Sequence, residues 1–406
     1  MKLQILICSL LLVLFSCNTK PVEVVTYLTA PSGINGSESS LNLSDDGSIY
    51  LSWIETGSSN SSKLLLSKLN DDNTWSNSQT IATGDNWFLN WADFPSVTSF
   101  GNNLAAHYLE KSANDTYAYD VKLTISNDDG NNWSNSITPH SDNTNTEHGF
   151  VSKVAMDDNS VLSVWLDGRQ MAYAEEDSTI SKQMTLRSAI FNEHGKLEKE
   201  YLLDKRVCDC CQTDTAMTED GPIVIYRDRS ENEIRDIYYV RQVNGIWTEP
   251  KAIYDDNWKI SGCPVNGPAI STKENTVAVA WYTVANNIPS VKVVFSNNNG
   301  KTFNEPIEIG DVIPSGRVDI ELLEDNSALV SWMDTVEGKT NIQLQRVAKN
   351  GKLSNILTLA ESSESRSSGF PRMVLKDNLA YLTWTKVNEG NKLSIETAIV
   401  NTDLIE

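Results

Sequence analysis

Positively charged side chains are scarce in this sequence. Its 406 residues include 33 lysines and arginines against 54 aspartates and glutamates, which gives a formal net charge of −21. Because so acidic a surface repels phosphate backbones, the composition excludes nucleic acid as a partner.

Long apolar runs are also lacking after the first 16 residues. The opening segment MKLQILICSLLLVLFSC joins a lysine to an apolar stretch too short to span a bilayer, which is typical of an export signal that is removed. Its Leu-x-Ser-Cys ending resembles the bacterial lipobox. That resemblance implies a signal peptide over residues 1–16, acylation of Cys17, a lipidated tether over residues 17–21 and attachment to the outer membrane, on the periplasmic side or at the cell surface. An ordinary signal peptide followed by an incidental cysteine is the alternative.

One pattern recurs through the rest of the chain. An alternating apolar stretch, a polar turn and a second alternating stretch ending in an aromatic residue repeat about every 50 to 60 residues, and the aromatic residues are Trp53, Tyr108, Trp165, Tyr226, Trp281, Trp332 and Trp384. Alternation with period two predicts strands, and the Asp-Gly and Asp-Asn pairs between them predict hairpin turns. With the further strands that follow each pair, every repeat predicts one four-stranded antiparallel blade of an all-β propeller.

The two ends of the chain are predicted to close the ring. The last repeat lacks an outer strand, and the stretch VEVVTYLTA at residues 22–30 supplies one. Closure of this kind removes exposed sheet edges. We therefore predict a single propeller domain over residues 22–406 with seven blades, six being the alternative count.

The turns between third and fourth strands carry a motif. The segment from Ser126 to Trp133 fits the Asp-box pattern S-x-D-x-G-x-x-W, and the segment from Ser296 to Phe303 is a softer copy. In this pattern the polar side chain caps backbone NH groups and glycine adopts a positive φ, so its role is structural. By these motifs and its repeats, almost the whole chain after the signal resembles the Asp-box (BNR-repeat) sialidase-like propellers. It is most similar to a bacterial lipoprotein subset that shares the stretches TEHGFV, VWLDGR, VCDCCQT, YRDRS, GCPVNGPA and SGFPR.

The resemblance implies a sialidase-like glycoside hydrolase of the exo-α-sialidase type, acting on an anionic sugar at the axial mouth of the propeller. Sialidases of this fold combine an arginine triad with a tyrosine–glutamate nucleophile pair and an aspartic acid. Matching residues by type and predicted face gives Tyr226, Glu233 and Asp93 as the catalytic residues. The first arginine of this chain is Arg169, in the third repeat, so the first-blade arginine of such sialidases has no counterpart here.

The alternation of strands predicts which loops meet. Loops that lead into innermost strands and loops that join second to third strands open on the same face of a propeller. Guanidinium groups on these loops match carboxylate, sulfate or phosphate, so we predict substrate binding by Arg169, Arg227, Arg229, Arg317, Arg366 and Arg372, together with Glu147, His148 and Asn266. Ion pairing with neighbouring aspartates between blades is the alternative role for these arginines.

Four cysteines are expected at the same face. Cys208, Cys210 and Cys211 precede the fourth blade and Cys263 precedes the fifth. An even number of cysteines in an exported chain favours disulfides, with one bridge to Cys263 and a pairing that the sequence leaves open. No cofactor is predicted on this interpretation. Binding of a soft metal ion by these thiolates, aided by His140 or His148, is the alternative.

Three functional hypotheses remain at this point. The first is the sialidase-like hydrolase. The second is a non-catalytic surface lipoprotein that binds an anionic glycan or a protein partner, since a fold alone does not specify activity. The third is a metal or redox protein built on the cysteine cluster. In each case the chain is expected to be a monomer that meets the membrane only through its lipid anchor.

Overall fold

The structure is a computed structural model that describes residues 23–33, 35–57, 61–157, 159–310 and 313–406. The predicted signal peptide, the acylated Cys17 and the tether lie outside the described residues. Among the helices of the described ranges, none combines the length and the apolar character needed to cross a bilayer.

Seven antiparallel sheets form the blades, which confirms the predicted all-β propeller and its blade count. The first strand, β1 (Val25–Leu28), belongs to the last blade. Blade 1 then comprises β2 (Gly36–Leu43), β3 (Ile49–Thr56), β4 (Ser62–Lys68) and β5 (Gln79–Gly84). Blade 2 has the three strands β6 (Val97–Phe100), β7 (Asn103–Lys111) and β8 (Tyr119–Ser126). Blade 3 comprises β9 (His148–Asp157), β10 (Ser160–Asp167), β11 (Met184–Asn192) and β12 (Leu197–Val207), with helix α1 (Arg169–Glu176) after β10.

The remaining blades follow the same order. Blade 4 comprises β13 (Asp214–Thr218), β14 (Gly221–Arg227), β15 (Ile237–Val243) and an outer edge divided into β16 (Ile246–Trp247) and β17 (Lys251–Ala252). Blade 5 comprises β18 (Ala269–Lys273), β19 (Thr276–Thr283), β20 (Ser290–Ser296) and β21 (Ile307–Ile309). Blade 6 comprises β22 (Pro314–Leu322), β23 (Ala328–Val336), β24 (Lys339–Val347) and β25 (Leu357–Ser362). Blade 7 comprises β26 (Arg372–Lys376), β27 (Leu379–Val387), β28 (Leu393–Asn401) and β1. Short 3-10 helices lie at Ala285–Asn287, Arg366–Ser368, Glu389–Asn391 and Thr402–Leu404.

The seventh blade joins the two ends of the described chain, as predicted. Strand β1 pairs antiparallel with β28, so that Val25 lies opposite Val400 and Leu28 opposite Thr397. The pairing supplies the outer strand that the last repeat lacks. The edge of β28 is therefore covered where the ring begins and ends.

The core lies between neighbouring blades. Alternating side chains of each sheet pack against the next sheet, and the aromatic residues that end the second strands are the largest members of these layers. Trp53, Trp165, Trp281 and Trp332 are almost completely buried. The repeated pattern that predicts the strands therefore also predicts which aromatic residues lie in the core.

The Asp-box turns adopt the predicted geometry on the face opposite the mouth. In the first turn, Asp128 Oδ1 accepts a hydrogen bond from the Asn132 amide at 2.8 Å, and Gly130 has φ +82°. In the second, Asn298 Oδ1 accepts from the Thr302 amide at 3.0 Å. An amide thus replaces the carboxylate of the motif without loss of the cap.

Replacing Gly130 by alanine tests this turn. Its φ is +82° and an added Cβ would lie 2.6 Å from Leu66 Cδ2, whereas Gly351 has φ +84° with open space around it. We expect Gly130→Ala to lower the free energy of unfolding by about 2 kcal/mol and Gly351→Ala by about 1 kcal/mol, because only the first adds a clash to the backbone strain. If urea unfolding gave equal losses of unfolding free energy for the two variants, the contact with Leu66 would add nothing to the backbone strain.

The innermost strands of all seven blades surround a central cavity of about 560 Å³. The loops that lead into these strands and the loops from second to third strands form one end of the propeller, which we call the mouth face. All of the predicted functional residues within the described ranges lie in or beside these loops. The fold thereby confirms the predicted gathering of loops, and the side-chain contacts decide what the loops do.

Candidate functional site

Two carboxyl groups that are distant in sequence meet at one tyrosine on the mouth face. The Tyr119 hydroxyl lies 3.0 Å from Oδ2 of Asp93 and 2.9 Å from Oε1 of Glu147. Asp93 precedes β6, Tyr119 begins β8 and Glu147 precedes β9. We call these three residues the Tyr119 triad. Asp93 and Glu147 were predicted as site residues, whereas Tyr119 was missed.

A glycine makes the close approach of these groups feasible. A Cβ at Gly149 would lie 2.1 Å from Asp93 Oδ2 and 2.8 Å from Tyr119 Cε2. The neighbouring Phe150 amide donates to Asp93 Oδ1 at 2.6 Å. The Glu-His-Gly-Phe segment at the start of β9 therefore both supplies Glu147 and holds Asp93 in place.

The Tyr119 triad retains protons near neutral pH. Burial raises the pKa of Asp93 to about 7. Burial raises the pKa of Glu147 to about 8, with further contributions from the charges of Asp93, Asp209 and Cys263. A phenol has one hydrogen to donate, so its two short contacts require one of the carboxyl groups to be protonated. The triad is therefore an acid at pH 7.

A second carboxyl group near the triad is paired with arginines. Asp209 lies close enough to Glu147 for its charge to raise the pKa of that residue. Asp209 Oδ1 is 3.3 Å from Nη1 of Arg229 and 3.7 Å from Nη1 of Arg235. Neighbouring guanidinium groups stabilise a carboxylate. The mouth thus combines a carboxyl group whose pKa is raised with one that is paired with guanidinium groups. Asp209 was not among the predicted site residues.

The structure places Tyr226 and Glu233, the predicted nucleophile pair, in separate contacts. Tyr226 is fully buried and donates to Asp204 Oδ2 at 2.5 Å, on the outer strand of blade 3. Glu233 binds Arg229 Nη2 at 2.8 Å and Arg235 Nη2 at 2.9 Å. The acid of that prediction, Asp93, belongs to the Tyr119 triad. The three predicted catalytic residues therefore have different immediate neighbours.

Two of the predicted arginines are paired with carboxylates at opposite sides of the mouth. Arg169 donates to both oxygens of Asp167 at 2.7 Å and lies 3.1 Å from Glu200. Arg372 lines the central cavity, 3.6 Å from Asp319. Of the six arginines, Arg372 alone contributes to the lining of that cavity.

Two other arginines donate hydrogen bonds to backbone carbonyl groups. Arg227 is 2% exposed, stacks over Trp258 at 4.8 Å and donates to the carbonyl oxygens of Asn266, Arg235 and Tyr282. Arg317 stacks over Trp91 at 4.8 Å and donates to Ser368 Oγ and the Gly369 carbonyl oxygen. These contacts join neighbouring blades and occupy the guanidinium groups.

Asn266 and Arg366 complete the placement of the predicted binding residues. Asn266 Oδ1 accepts a hydrogen bond from the Arg317 amide at 2.7 Å and so fixes the backbone leading into β22. Arg366 is exposed in a 3-10 helix before β26. The contacts thus divide Arg169, Arg227, Arg229, Arg317 and Arg372 among separate partners, so the mouth face is a mixed-charge surface.

An aromatic cluster lies beside the central cavity, which one of its members, Phe94, lines. Trp91 stacks on Phe370 with ring centroids 5.7 Å apart, and Phe94 lies 5.9 Å from the same ring. Gln212 donates to the Ala92 carbonyl oxygen and accepts from the Gly267 amide. The loops of Ala92, Gln212 and Gly267 are therefore joined by hydrogen bonds. The first of these loops also carries Asp93 of the Tyr119 triad.

His148 takes part in a separate buried network. Its ring stacks on His140 with centroids 3.7 Å apart, and its Nε2 lies 3.4 Å from Asp142 Oδ2 and 3.8 Å from Asp167 Oδ2. These carboxylates, with Asp120, raise the pKa of His148 against the opposing effect of burial. Within the described residues, His140 and His148 are close enough to share a metal ion only with aspartates. Cys208, Cys210 and Cys211 form a separate group.

The four cysteines lie together, as their positions before blades 4 and 5 predict. Cys208 Sγ is 3.8 Å from Cys210 Sγ and 3.7 Å from Cys211 Sγ, and the sulfur atoms are not bonded to one another. Cys263 lies near enough to Cys210 for each thiol to shift the pKa of the other. Hydrogen bonds from the neighbouring thiols, together with the charge of Arg235, hold the pKa of Cys208 well below its ordinary value. The predicted disulfides stay a prediction.

Comparison with known proteins adds information on the fold. No family model and no curated protein matches this sequence. Among solved structures, the α-L-arabinofuranosidase Arb93A from Fusarium graminearum superposes with a TM-score of 0.54 at 11% identity, covering 94% of this chain and 98% of that chain. The polysaccharide lyase Uly1 gives a TM-score of 0.52 at 10% identity, with coverages of 93% and 92%. A protein of unknown function from Dyadobacter fermentans gives 0.54 at 12% identity, with coverages of 94% and 98%. At these identities the likeness establishes a shared propeller fold.

Proposed function

We propose that the protein cleaves glycosidic bonds at the mouth face, with Glu147 as general acid and Asp209 as general base. The Tyr119 hydroxyl, which contacts Asp93 and Glu147 at 3.0 and 2.9 Å, carries this proposal. This contact supports a proton held at neutral pH on Glu147, which is partly exposed. Glycoside hydrolysis requires one carboxyl group that gives a proton and a second that accepts one.

The chemistry assigns one task to each group. Glu147 gives its proton to the departing glycosidic oxygen as the bond to the anomeric carbon breaks. Asp209 takes a proton from the water that forms the new bond to that carbon, and solvent returns both carboxyl groups to their starting states. Tyr119 orients Glu147 through its hydrogen bond, and Asp93 holds the Tyr119 hydroxyl from the other side. They are positioning residues on this proposal.

A sialidase-type reaction, with Tyr119 as nucleophile and Glu147 as its base, is less favoured by the contacts. Tyr119 is fully buried, and burial together with the charges of Asp93 and Glu147 raises its pKa well above the ordinary value. A phenolate between two carboxyl groups is therefore unfavourable. Five of the six predicted arginines are already engaged by carboxylates or carbonyl groups, so we propose a neutral sugar.

The similar solved structures support a carbohydrate substrate without specifying it, because two of them are an arabinofuranosidase and a polysaccharide lyase. An anionic glycan remains the alternative. We further propose that the chain works outside the cytoplasm, anchored through Cys17 at the outer membrane. The propeller would then meet extracellular or periplasmic glycans.

A panel of fluorogenic glycosides tests the proposal. The purified chain after residue 21 is incubated with 4-methylumbelliferyl α-L-arabinofuranoside, other neutral glycosides, a sialoside and a glucuronide. We expect turnover of a neutral glycoside and its loss in Asp209→Asn. Turnover confined to the sialoside, with loss in Tyr226→Phe, would replace this proposal by the sialidase assignment. Saturable glycan binding without turnover of any substrate would overturn catalysis altogether.

A further inference from the structure

The cysteine cluster has the spacing of a metal centre. Cys208 Sγ lies 3.8 Å from Cys210 Sγ and 3.7 Å from Cys211 Sγ, and all three sulfur atoms fall within 4.8 Å of one another. Thiolates bound at about 2.3 Å to a tetrahedral ion lie about 3.8 Å apart. Cys208 and Cys211 are buried, whereas Cys263 is exposed and lies next to this group of three sulfur atoms rather than within it. The geometry points to a site for one thiophilic d10 ion, zinc(II) or copper(I), held by Cys208, Cys210 and Cys211 with Cys263 as fourth ligand.

A buried cation beside the sulfur atoms supports this assignment. Arg235 is 3% exposed and its Nη1 donates to Cys208 Sγ at 3.1 Å. Three or four thiolates around one such ion carry net negative charge, which a neighbouring guanidinium group offsets. Glu233 binds Nη2 of Arg235 at 2.9 Å, and Asp209 lies 3.7 Å from the same Nη1 that donates to Cys208. These contacts fix the guanidinium group beside the sulfur atoms.

The surrounding loops hold the ligands in register. The Cys208 amide donates to the Arg227 carbonyl oxygen at 3.0 Å, at the end of β14. Gln212 accepts from the Gly267 amide at 2.9 Å and so joins the loop of Cys211 to the loop of Cys263. The exposed Cys263 gives an ion access from solvent, and binding exchanges the thiol protons for the metal.

The chemistry of the donor set indicates the class of metal. Sulfur ligands without carboxylate or imidazole select soft ions. Among the described residues, the histidines group with aspartates on another part of the mouth face. A disulfide between Cys210 and Cys211 is disfavoured, because adjacent Cα atoms are about 3.8 Å apart and a disulfide ordinarily needs about 4.4 Å. The two other pairings remain the competing outcome.

Metal content tests the site independently of any glycosidase activity. The chain after residue 21 is purified anaerobically, loaded in separate arms with zinc(II) or copper(I), and analysed by inductively coupled plasma mass spectrometry. We expect one equivalent of one of these ions per chain, and loss of stoichiometric binding in Cys208→Ser and in Cys211→Ser. Failure of every glycoside assay would leave this result unchanged.

Variants outside the ligand set guard against misfolding as an explanation. Arg235→Met is expected to lower metal affinity about 10- to 100-fold in a chelator competition. Arg241→Met, which removes a guanidinium group paired with Asp220 on the opposite face at 2.8 Å, is expected to leave affinity unchanged. Cobalt(II) loading adds a count of thiolates, since Cys263→Ser should weaken the sulfur-to-cobalt charge-transfer absorption without abolishing it.

Two results would overturn the inference. One is a metal-free chain with no titratable thiols and a mass lower by two hydrogens for each disulfide, which would establish the bridges instead. The other is bound metal whose stoichiometry survives both Cys208→Ser and Cys211→Ser, which would place the ion elsewhere. Normal thermal unfolding of each variant is required for either conclusion.

Discussion

Glu147→Gln is expected to slow the cleavage of a glycoside with a poor leaving group by about 10²- to 10⁴-fold. Glutamine keeps the size of the side chain and its contact with Tyr119 but has no proton to give. The same variant should cleave an activated dinitrophenyl glycoside at nearly the rate of the unaltered protein, because such a leaving group departs without protonation. Steady-state rates on the two substrates decide the matter.

A loss that is equal on both substrates would contradict the role of Glu147 as an acid. Tyr119→Phe adds a second readout. The hydrogen bond from Tyr119 lowers the pKa of Glu147, against the larger effect of burial. Its removal should move the alkaline limb of the pH–rate profile to higher pH. Tyr50→Phe is the matched control, since Tyr50 donates to Asp129 on the opposite face and should leave the profile unchanged.

A single carboxyl group in the central cavity should make stability depend on pH. Burial raises the pKa of Glu321 from 4.5 to about 8, and the charges of Asp319 and Asp214 add to the effect. Arg372 acts in the opposite direction, and Ser271 Oγ donates to Glu321 Oε2 at 2.9 Å. The folded protein therefore holds this proton across a pH range in which the unfolded chain has lost it.

The sign follows from proton linkage. Stability from a raised carboxyl pKa is fully present below pH 4.5 and is lost as the pH rises through 8, because the unfolded state then binds fewer protons than the folded state. Since the side chain is partly accessible to the cavity, we expect a loss of about 3 kcal/mol between these limits, less than the full linkage value. Glu321→Gln should abolish this part of the pH dependence.

Urea unfolding at pH 4.5 and pH 8 measures the effect as a difference between the two proteins. Glu308→Gln serves as control because Glu308 lies exposed on β21. Parallel stability curves for the unaltered protein and Glu321→Gln would show that Glu321 ionises at its ordinary pKa in the folded state.

The fold was predictable from local signals. Alternation and turn residues identified the second strand of every blade, because these patterns act over a few residues and recur. The capped Asp-box turn at Asp128 is likewise local, so its hydrogen bonds were expected. The pairing of β1 with β28 required one further step, namely that the last repeat lacked a strand.

The chemistry of the mouth was less predictable. Tyr119 stands at the start of a third strand with nothing in its surroundings that distinguishes it from a core tyrosine. Its importance arises because Gly149 lets Asp93 approach it, which is a fact of packing. Arg227 was expected to bind an anion, but its partners are carbonyl groups, which every residue has and no sequence pattern reveals. The charge composition of the loops could therefore be predicted, whereas the pairing of those charges could not.

The union of β1 with β28 also has a kinetic consequence. Val25 and Val400 cannot pair until nearly the entire polypeptide is available, and contacts so remote in sequence are slow to form. Newly made copies should therefore pass through a period in which six blades can form while the seventh still lacks its outer strand. Until β1 pairs, the edge of β28 is exposed to pairing with another copy.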